Sequence, residues 1–589
     1  MMKTKYLLPG LATCLVLSLF SCSEDLLDIS RKGAKPLTEF YKTDADAMAA
    51  LATMYNYVWT TTYSNSLGIY PFIKNIMSDD VYSGGQKRND QPLYENINEF
   101  NFATDNNYVL SYFQGMYNLI YRCNLIIGNF TGDNLDTDVK KAAVAQAKVW
   151  RAWAYTELII MWGTPPLVDH ALTPSEYQQG NGDPVELWNL VETDLKDAIS
   201  SGALAEKANV TDKITTVTKQ YAQSLLGKAY VYMTYSLAGG ALGGSNAETA
   251  VTAAASSEYW AKAAEVFEEV ISSQKYALYN GNFFNIFKTS TNWSSENMFE
   301  FNRIFYATNT SNNLSCSFES FMIGWDGPRM TGYGPNQQCT RASNFLTPRQ
   351  EAYDAMLAWE GSPDGTRIKG SIMTYEQVVN DMGIAMTNGT LNTIYACDGV
   401  FDLKYFRDQN KDCKTGHATE KHYPLMRYSE VLLLAAEANL MAGIPGKADD
   451  YMNEVRARAG LTPMSGVTLS DIQQEKRCEL YQEGVRQYDI IRWGLAYDLL
   501  KDQGKTVPYF SAYTASVTYD AEHNPIIDTQ WSGTVNVGGV DYTLGVSDLT
   551  INTVYGFKKG KHELLPFPQK ELLLSGEVVG GPLVQNPNW

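Results

Sequence analysis

Residues Lys140 to Trp162 read KKAAVAQAKVWRAWAYTELIIMW, and this stretch decides the fold class. Ala143, Ala147, Trp150, Ala154, Leu158 and Met161 recur at steps of three and four residues, which gathers small and large apolar groups on one face of a helix. Gly163-Thr164-Pro165-Pro166 ends it, because proline brings no backbone donor and restricts the residue before it.

Working outward, a second helix is predicted from about Val185 to Ile199, with Asp183 as its cap and Pro184 in its first turn. Two more follow near Thr218 to Leu237 and Glu258 to Ser273, separated by Gly239-Gly240-Ala241-Leu242-Gly243-Gly244. A further pair is predicted from Tyr423 to Gly460, punctuated by Gly443, Pro445 and Gly446, and a last pair from about Ser470 to Leu500. Paired helices with alanine at close-approach positions cannot bury their apolar faces alone and must stack. The expectation is a mainly α chain with a tetratricopeptide-like helical repeat scaffold over about 38–275 and 425–500, although the strict repeat consensus is absent.

Between Tyr276 and Thr419 turn formers and aromatics interrupt any period, and from Lys505 to Gly560 short alternating runs such as Thr534-Val535-Asn536-Val537 predict small strands or hairpins. These are read as long irregular insertions, about 276–424 and 505–560, on the helical frame. Structured loops on a rigid frame are where recognition usually sits. No linker divides the chain, so residues 22–589 are expected to form one domain.

Residues 1–21 have the parts of an export signal: Lys3 and Lys5, an apolar run from Tyr6 to Phe20, then Ser21. The run is too short to span a membrane and contains Pro9 and Gly10. Leu19-Phe20-Ser21-Cys22 resembles a lipobox, which would make Cys22 the acylated first residue of the mature chain. Ser23-Glu24-Asp25 resembles the acidic tag that sends lipoproteins to the outer face of the outer membrane. The remaining cysteines, Cys123, Cys316, Cys339, Cys397, Cys413 and Cys478, form no CxxC pair and have neither zinc-ligand spacing nor the density of a disulfide framework.

A formal charge of -18 argues against nucleic acid, whose phosphates demand clustered Lys and Arg. Aromatic residues reach 12%, with 38 Tyr and 12 Trp, more than a plain helical scaffold needs and suited to offering flat surfaces to a ligand.

Catalytic chemistry has little support. Glu479 and Glu483 lie four apart on one helix face, whereas the carboxyl groups of a glycosidase flank the scissile bond from opposite sides. With Arg477, Arg486, Asp489 and Arg492 close by, they are read as an ion-pair lattice between helices, as are Arg427, Glu430 and Glu437. There is no G-x-S-x-G elbow and no Walker-type loop, and His170, His417, His422, His523 and His562 are too scattered for a metal cluster. Asp408-Gln409-Asn410-Lys411-Asp412 opens like a calcium loop, but Cys413 stands where Gly is needed and Thr419 where Glu is needed. No cofactor is expected, and an irregular structural calcium site stays open at that loop.

Several ordered segments resemble the SusD/RagB family. Ala147 to Tyr155 followed by Trp162 to Val168 is similar to its helix leading into a Gly-x-Pro-Leu-Val turn, and Tyr259 to Ala264 through Lys275 to Leu278 to a second signature. The most specific stretch is Pro424 to Ala438, continued by Asn453 to Gly460, then Glu475 to Leu480 with Glu483 to Arg486, Asp489 to Trp493, and the closing Gln585 to Trp589. Lys476-Arg477 departs from a Glu-Arg pair common in the family and touches an ion pair. The resemblance implies a non-enzymatic lipoprotein at the cell surface that captures oligo- or polysaccharide and packs on a SusC-like TonB-dependent outer-membrane transporter. A surface glycoside hydrolase, or a relative binding peptide or protein instead of glycan, are the alternatives.

A sugar offers an apolar CH face and polar edges, so its site needs a flat aromatic beside amide, carboxylate or guanidinium groups. The family's ligand face draws on the loop after the first long helix and on the central insertion, which here implicate Tyr82, Arg88, Asn89 and Asp90 and then Trp293, Trp325, Asp326, Arg329 and Tyr333. Trp325 sits between Gly324 and Gly327-Pro328, a turn context that can expose a ring.

Overall fold

In a computed structural model of the protein, the structure describes residues 39–59, 70–85, 88–207, 216–237, 253–301, 345–374, 397–404, 422–444, 446–511, 555–576 and 583–589. It also describes strand pieces at 329–330, 386–387, 390–391, 394–395, 413–415, 418–419, 517–519, 525–527, 534–537, 540–543 and 545–551.

The helix read from the Lys140 to Trp162 stretch spans Asp138–Trp162. Thr137 caps it by accepting the Lys140 N–H, and Gly163, at φ 74°, closes it in a conformation that a β-carbon would strain. Asn107–Asn129 packs on one side of it and Pro184–Ser200 on the other, and Lys219–Ser236, Ala253–Ser272 and Tyr428–Met441 continue the stack in that order. Asp183 caps Pro184–Ser200 by accepting the Val185 and Glu186 N–H groups, and Thr218 caps Lys219–Ser236. At Gly227 a β-carbon would stand 2.7 Å from the Phe267 ring, so glycine is what lets Lys219–Ser236 approach Ala253–Ser272 so closely. Trp150, Trp162 and Trp188 are fully buried in the resulting core.

Three local expectations are corrected. Tyr423–Arg427 is a strand, not the start of a helix; it pairs antiparallel with Asn297–Phe301, and the helix begins at Tyr428. Pro424 tolerates that role because a two-stranded sheet leaves one edge unpaired. The predicted pair from Ser470 to Leu500 is broken into Leu469–Glu479, Arg486–Arg492 and Ala496–Leu500. Gln482 and Gly484 both adopt positive φ there, and the Asn75 side chain grips that turn from outside, donating to the Gln482 carbonyl and accepting the Gly484 N–H. Within the central insertion, Gln350–Glu360 is a helix that the reading of the sequence as irregular missed.

Besides short helical turns at Phe283–Phe287, Thr289–Thr291 and Ile368–Ser371, the insertions form two-stranded antiparallel pieces among the described residues. Thr534–Val537 pairs with Val540–Thr543 as the alternating run predicted. No helix among the described residues is long and apolar enough to cross a membrane.

Candidate functional site

Two segments carry the candidate ligand residues, and both are pinned to one C-terminal stretch. The first begins at Ser78. Asn98 shapes it, donating to the Ile76 and Val81 carbonyls and accepting the Ser83 N–H. Its Val81–Gly84 strand pairs antiparallel with Phe345–Pro348 of the central insertion, Tyr82 opposite Thr347, so the two candidate segments share one small sheet. Beneath that sheet, Arg486 grips Asp79 with two hydrogen bonds of 2.8 and 2.9 Å, and Arg477 donates to Asp80 at 2.8 Å. Burial would raise the Asp79 carboxyl, but Arg486 and Arg477 outweigh it and hold the group well below the usual carboxylate range.

The central insertion is held by a lattice of buried charge. Arg367, Lys404, Arg427, Arg456 and Arg458 pair with Glu296, Glu360, Glu475, Glu479 and Glu483 in one connected set, five cations to five carboxylates. Arg427 is its centre: Nε and Nη2 donate to the two Glu483 oxygens at 2.7 and 2.6 Å, Nη1 to Glu479 at 2.8 Å and also to Glu296. Glu479 is 0% exposed; burial would raise its carboxyl, yet Arg458, Arg427 and Arg367 together hold it well below the usual range. Lys404 donates to Glu483 at 2.6 Å, and burial pushes its ammonium down to about 8. Glu479 and Glu483 are therefore both buried and both engaged by arginine or lysine.

The individual candidates fall into different situations. Tyr82 is only 5% exposed and is packed with Cys397 and Val507 beneath the Arg349 guanidinium, 4.7 Å above its ring, so it braces the sheet from inside. Half-buried Arg88 is ion-paired to Glu95 and Glu99, while Asn89 is exposed at φ 64° with its N–H donated to Glu95. Asp90 is half-buried beside Gly85, where a β-carbon would stand 2.9 Å from its carboxylate. Trp293, at φ 59°, sets its ring edge-on to His422 at 4.3 Å, next to the Asn297–Phe301 and Tyr423–Arg427 pair. Arg329 lies in a strand pairing with Ile394–Tyr395, and Trp325, Asp326 and Tyr333 lie outside the described residues, as do Cys22 and the Asp408 to Asp412 loop.

Sequence reading missed Arg349, which joins both segments: its N–H donates to the Asp80 carbonyl, its Nη1 to Gln503, and its guanidinium covers Tyr82. It also missed Asp398, which accepts the Gln350 N–H; burial first and the Glu351 carboxylate second push its carboxyl up to about 7. Neither stands in a motif, and only the fold brings them to Tyr82. Among the described residues no group of three His, Cys, Asp or Glu is placed to hold a metal ion.

With that geometry in view, the likeness to known proteins is specific. The SusD family profile matches residues 279–589, more than half of the chain. The chain belongs to the SusD family. A second profile, described as starch-binding and associating with the outer membrane, matches residues 27–233 of this SusD-family chain. SusD-like protein P25 of Formosa agariphila is 24% identical over 521 residues, covering 83% of this chain and 90% of the relative. Surface glycan-binding protein A from Bacteroides thetaiotaomicron, solved in complex with laminarihexaose, superposes with a TM-score of 0.69 at 22% identity over 92% of this chain and 99% of that one. A laminarin-binding SusD-like protein superposes with a TM-score of 0.68 at 23% identity, over 93% and 100%. At these identities the superpositions speak for the fold.

Proposed function

We propose that this SusD-family protein binds glycan at the face built by the Ser78 to Asn98 segment and the central insertion, without catalysis, and passes it to a SusC-like TonB-dependent transporter. The observation that carries this reading is the anchoring of both segments, through Asp79, Asp80, Arg367 and Lys404, onto the Leu469 to Arg492 stretch. A rigidly held face suits capture, and the same anchoring consumes the carboxylates an enzyme would need. The glycan-bound relative with the same fold supports the ligand class. We further propose that residues 1–21 are removed as a signal, that Cys22 carries the lipid that fixes the protein to the outer membrane facing outward, and that residues 22–589 form one domain with a tetratricopeptide-like helical stack. In this reading Asn89, Asp90 and Trp325 contact ligand directly, Tyr82 supports them from inside, and neither cofactor nor nucleic acid takes part.

The test is affinity electrophoresis of the mature protein through gels containing neutral polysaccharides, with reducing ends assayed in parallel. Retardation without new reducing ends is expected. Steady release of reducing ends would show a hydrolase, and absence of retardation with capture of peptides would move the protein to the peptide-binding alternative.

A further inference from the structure

A cleft of about 800 Å³ lies away from the insertions, between the Asn107–Asn129 helix, the loop after Pro166 and the C-terminal Gln569–Ser575 helix. Its floor comes from one face of a helix: Phe113, Tyr117 and Tyr121 recur at four-residue steps and line it, while Tyr112, Met116, Leu119 and Cys123 on the other side are buried in the core. Tyr121 is 50% exposed and Tyr177, on the facing loop, is 66% exposed, although both are large aromatic residues that a helical protein would ordinarily cover. The walls are cross-braced. Gln114 donates to Glu571 at 2.7 Å, Tyr117 donates to the Pro166 carbonyl at 2.7 Å, and Gln179 donates to the Glu176 carbonyl at 2.8 Å. The cleft is therefore preformed, and its size lies within the roughly 300–1,000 Å³ of small-molecule sites.

We propose that this cleft is a second carbohydrate-binding site, taking an uncharged oligosaccharide. Two exposed phenol rings give the flat apolar faces on which pyranose CH groups stack. The amide groups of Gln114, Gln178 and Gln179, whose nitrogens each donate once within the protein, stand beside them with their oxygens as neutral acceptors and a second N–H each for hydroxyls. Among the described residues no Lys or Arg lines the cleft, Glu571 adds a carboxylate, and the one imidazole on its lining, His170, is already engaged by Asp169 and Glu176, so an anionic glycan, a phosphate or a nucleic acid finds little counter-charge. The site shares no residue with the insertion face. Two separate sites on one chain would hold a long polymer more tightly than either alone, because the second contact becomes intramolecular.

The experiment uses the mature wild-type protein, a Tyr121→Ala/Tyr177→Ala double variant, a Tyr121→Phe/Tyr177→Phe double variant and Trp325→Ala, each probed on an array of neutral oligosaccharides that includes maltohexaose, cellohexaose and laminarihexaose. For at least one neutral oligosaccharide, the alanine pair is expected to weaken binding about tenfold, as loss of two stacking platforms implies, while the phenylalanine pair retains it. Both tyrosines are exposed, so the melting temperature should hold. An array profile for the alanine pair identical to wild type overturns the proposal, as does a wild-type protein that binds no neutral oligosaccharide. Loss confined to transporter association overturns it too and makes the cleft a protein-docking surface. If only Trp325→Ala changes the profile, the insertion face stands and the cleft falls.

Discussion

Replacing Arg427 by Met should destabilise the protein by about 4 kcal/mol, because it removes one partner of a buried charge set that is otherwise neutral. The guanidinium is 0% exposed and serves three carboxylates, Glu296, Glu479 and Glu483. Methionine fills much of the volume but leaves five carboxylates facing four cations, Arg367, Lys404, Arg456 and Arg458. Removing one member of a buried pair typically costs roughly 3–5 kcal/mol, most of it the uncompensated charge left behind. Lys404 still reaches Glu483 and Arg458 still reaches Glu296 and Glu479, which keeps the loss within that range despite three broken pairs. At roughly 1 °C per kcal/mol for a chain of this size, the melting temperature should fall by about 3–4 °C.

Scanning calorimetry checks the magnitude, and a double-mutant cycle checks the cause. Adding Glu483→Gln to Arg427→Met takes away one stranded carboxylate, so the two changes together should cost less than their sum, with a coupling of about 1–3 kcal/mol. Lys196→Ala supplies the contrast, since its pair with Glu192 is exposed on the lysine side and should change stability by less than about 1 kcal/mol. An Arg427→Met protein melting within a degree of wild type, or strictly additive variants, would refute the lattice as the joint between insertion and scaffold.

Cys22→Ala should move the protein from the membrane fraction to the soluble fraction with its fold intact, read by fractionation in cells lacking the transporter; retention would exclude the lipid as the anchor. Trp325→Ala should weaken glycan binding while leaving the melting temperature in place, and a large thermal loss with unchanged affinity would make Trp325 a core residue. His562 is buried beside the Phe100, Phe557 and Trp589 rings and accepts the Lys558 N–H, and burial pushes its imidazole down to about 3. Its unfolded counterpart takes up a proton near pH 6.5 while the folded form does not, so stability falls as pH drops from about 6.5 toward 3. His562→Gln should flatten that part of the denaturation profile, and an unchanged slope would assign the acid sensitivity to other groups.

The helices were legible because their ends carry local chemistry. Asp183 caps where expected, and Thr218, read as the start of its helix, caps that helix, since a cap contacts backbone two or three residues away and needs no tertiary information. The turn at Gln482 and Gly484 was not legible, because the group that holds it open is Asn75, about four hundred residues earlier in the chain. Charge shows the same division. The chain around Glu479 announced an ion-pair lattice, and Arg492 with Asp489 is local, but Asp79, Asp80, Glu296 and Lys404 are supplied by distant segments. At the proposed ligand face Tyr82 read as a candidate ligand contact because exposure is a property of the fold; Arg349 and the strand opposite bury it. Arg88 read as a ligand donor, and its charge is engaged by Glu95 and Glu99 a few residues on.

That distribution of charge says why ionic groups, instead of a purely apolar seam, join the insertions to the helices. An apolar contact is tolerant of sliding, whereas a guanidinium that must satisfy Glu296, Glu479 and Glu483 at once accepts few orientations. Net stability is a poor explanation, because desolvation of buried ions offsets much of their attraction. Orientation is a better one. The Ser78 segment and the central insertion have irregular backbones and small two-stranded pieces, which alone would be marginal. Each is fixed instead at its base, Asp79 and Asp80 on Arg486 and Arg477, Lys404 on Glu483 and Glu296 on Arg427, so that three of these contacts meet the Leu469 to Arg492 stretch and the fourth the Tyr423–Arg427 strand. The loops above the base can then change in sequence, and so in ligand, without loosening the joint. It follows that substitutions at Asn89, Asp90 or Trp325 should alter which glycan is held, while substitutions at Arg427, Arg477 or Arg486 should alter whether any face exists to hold it.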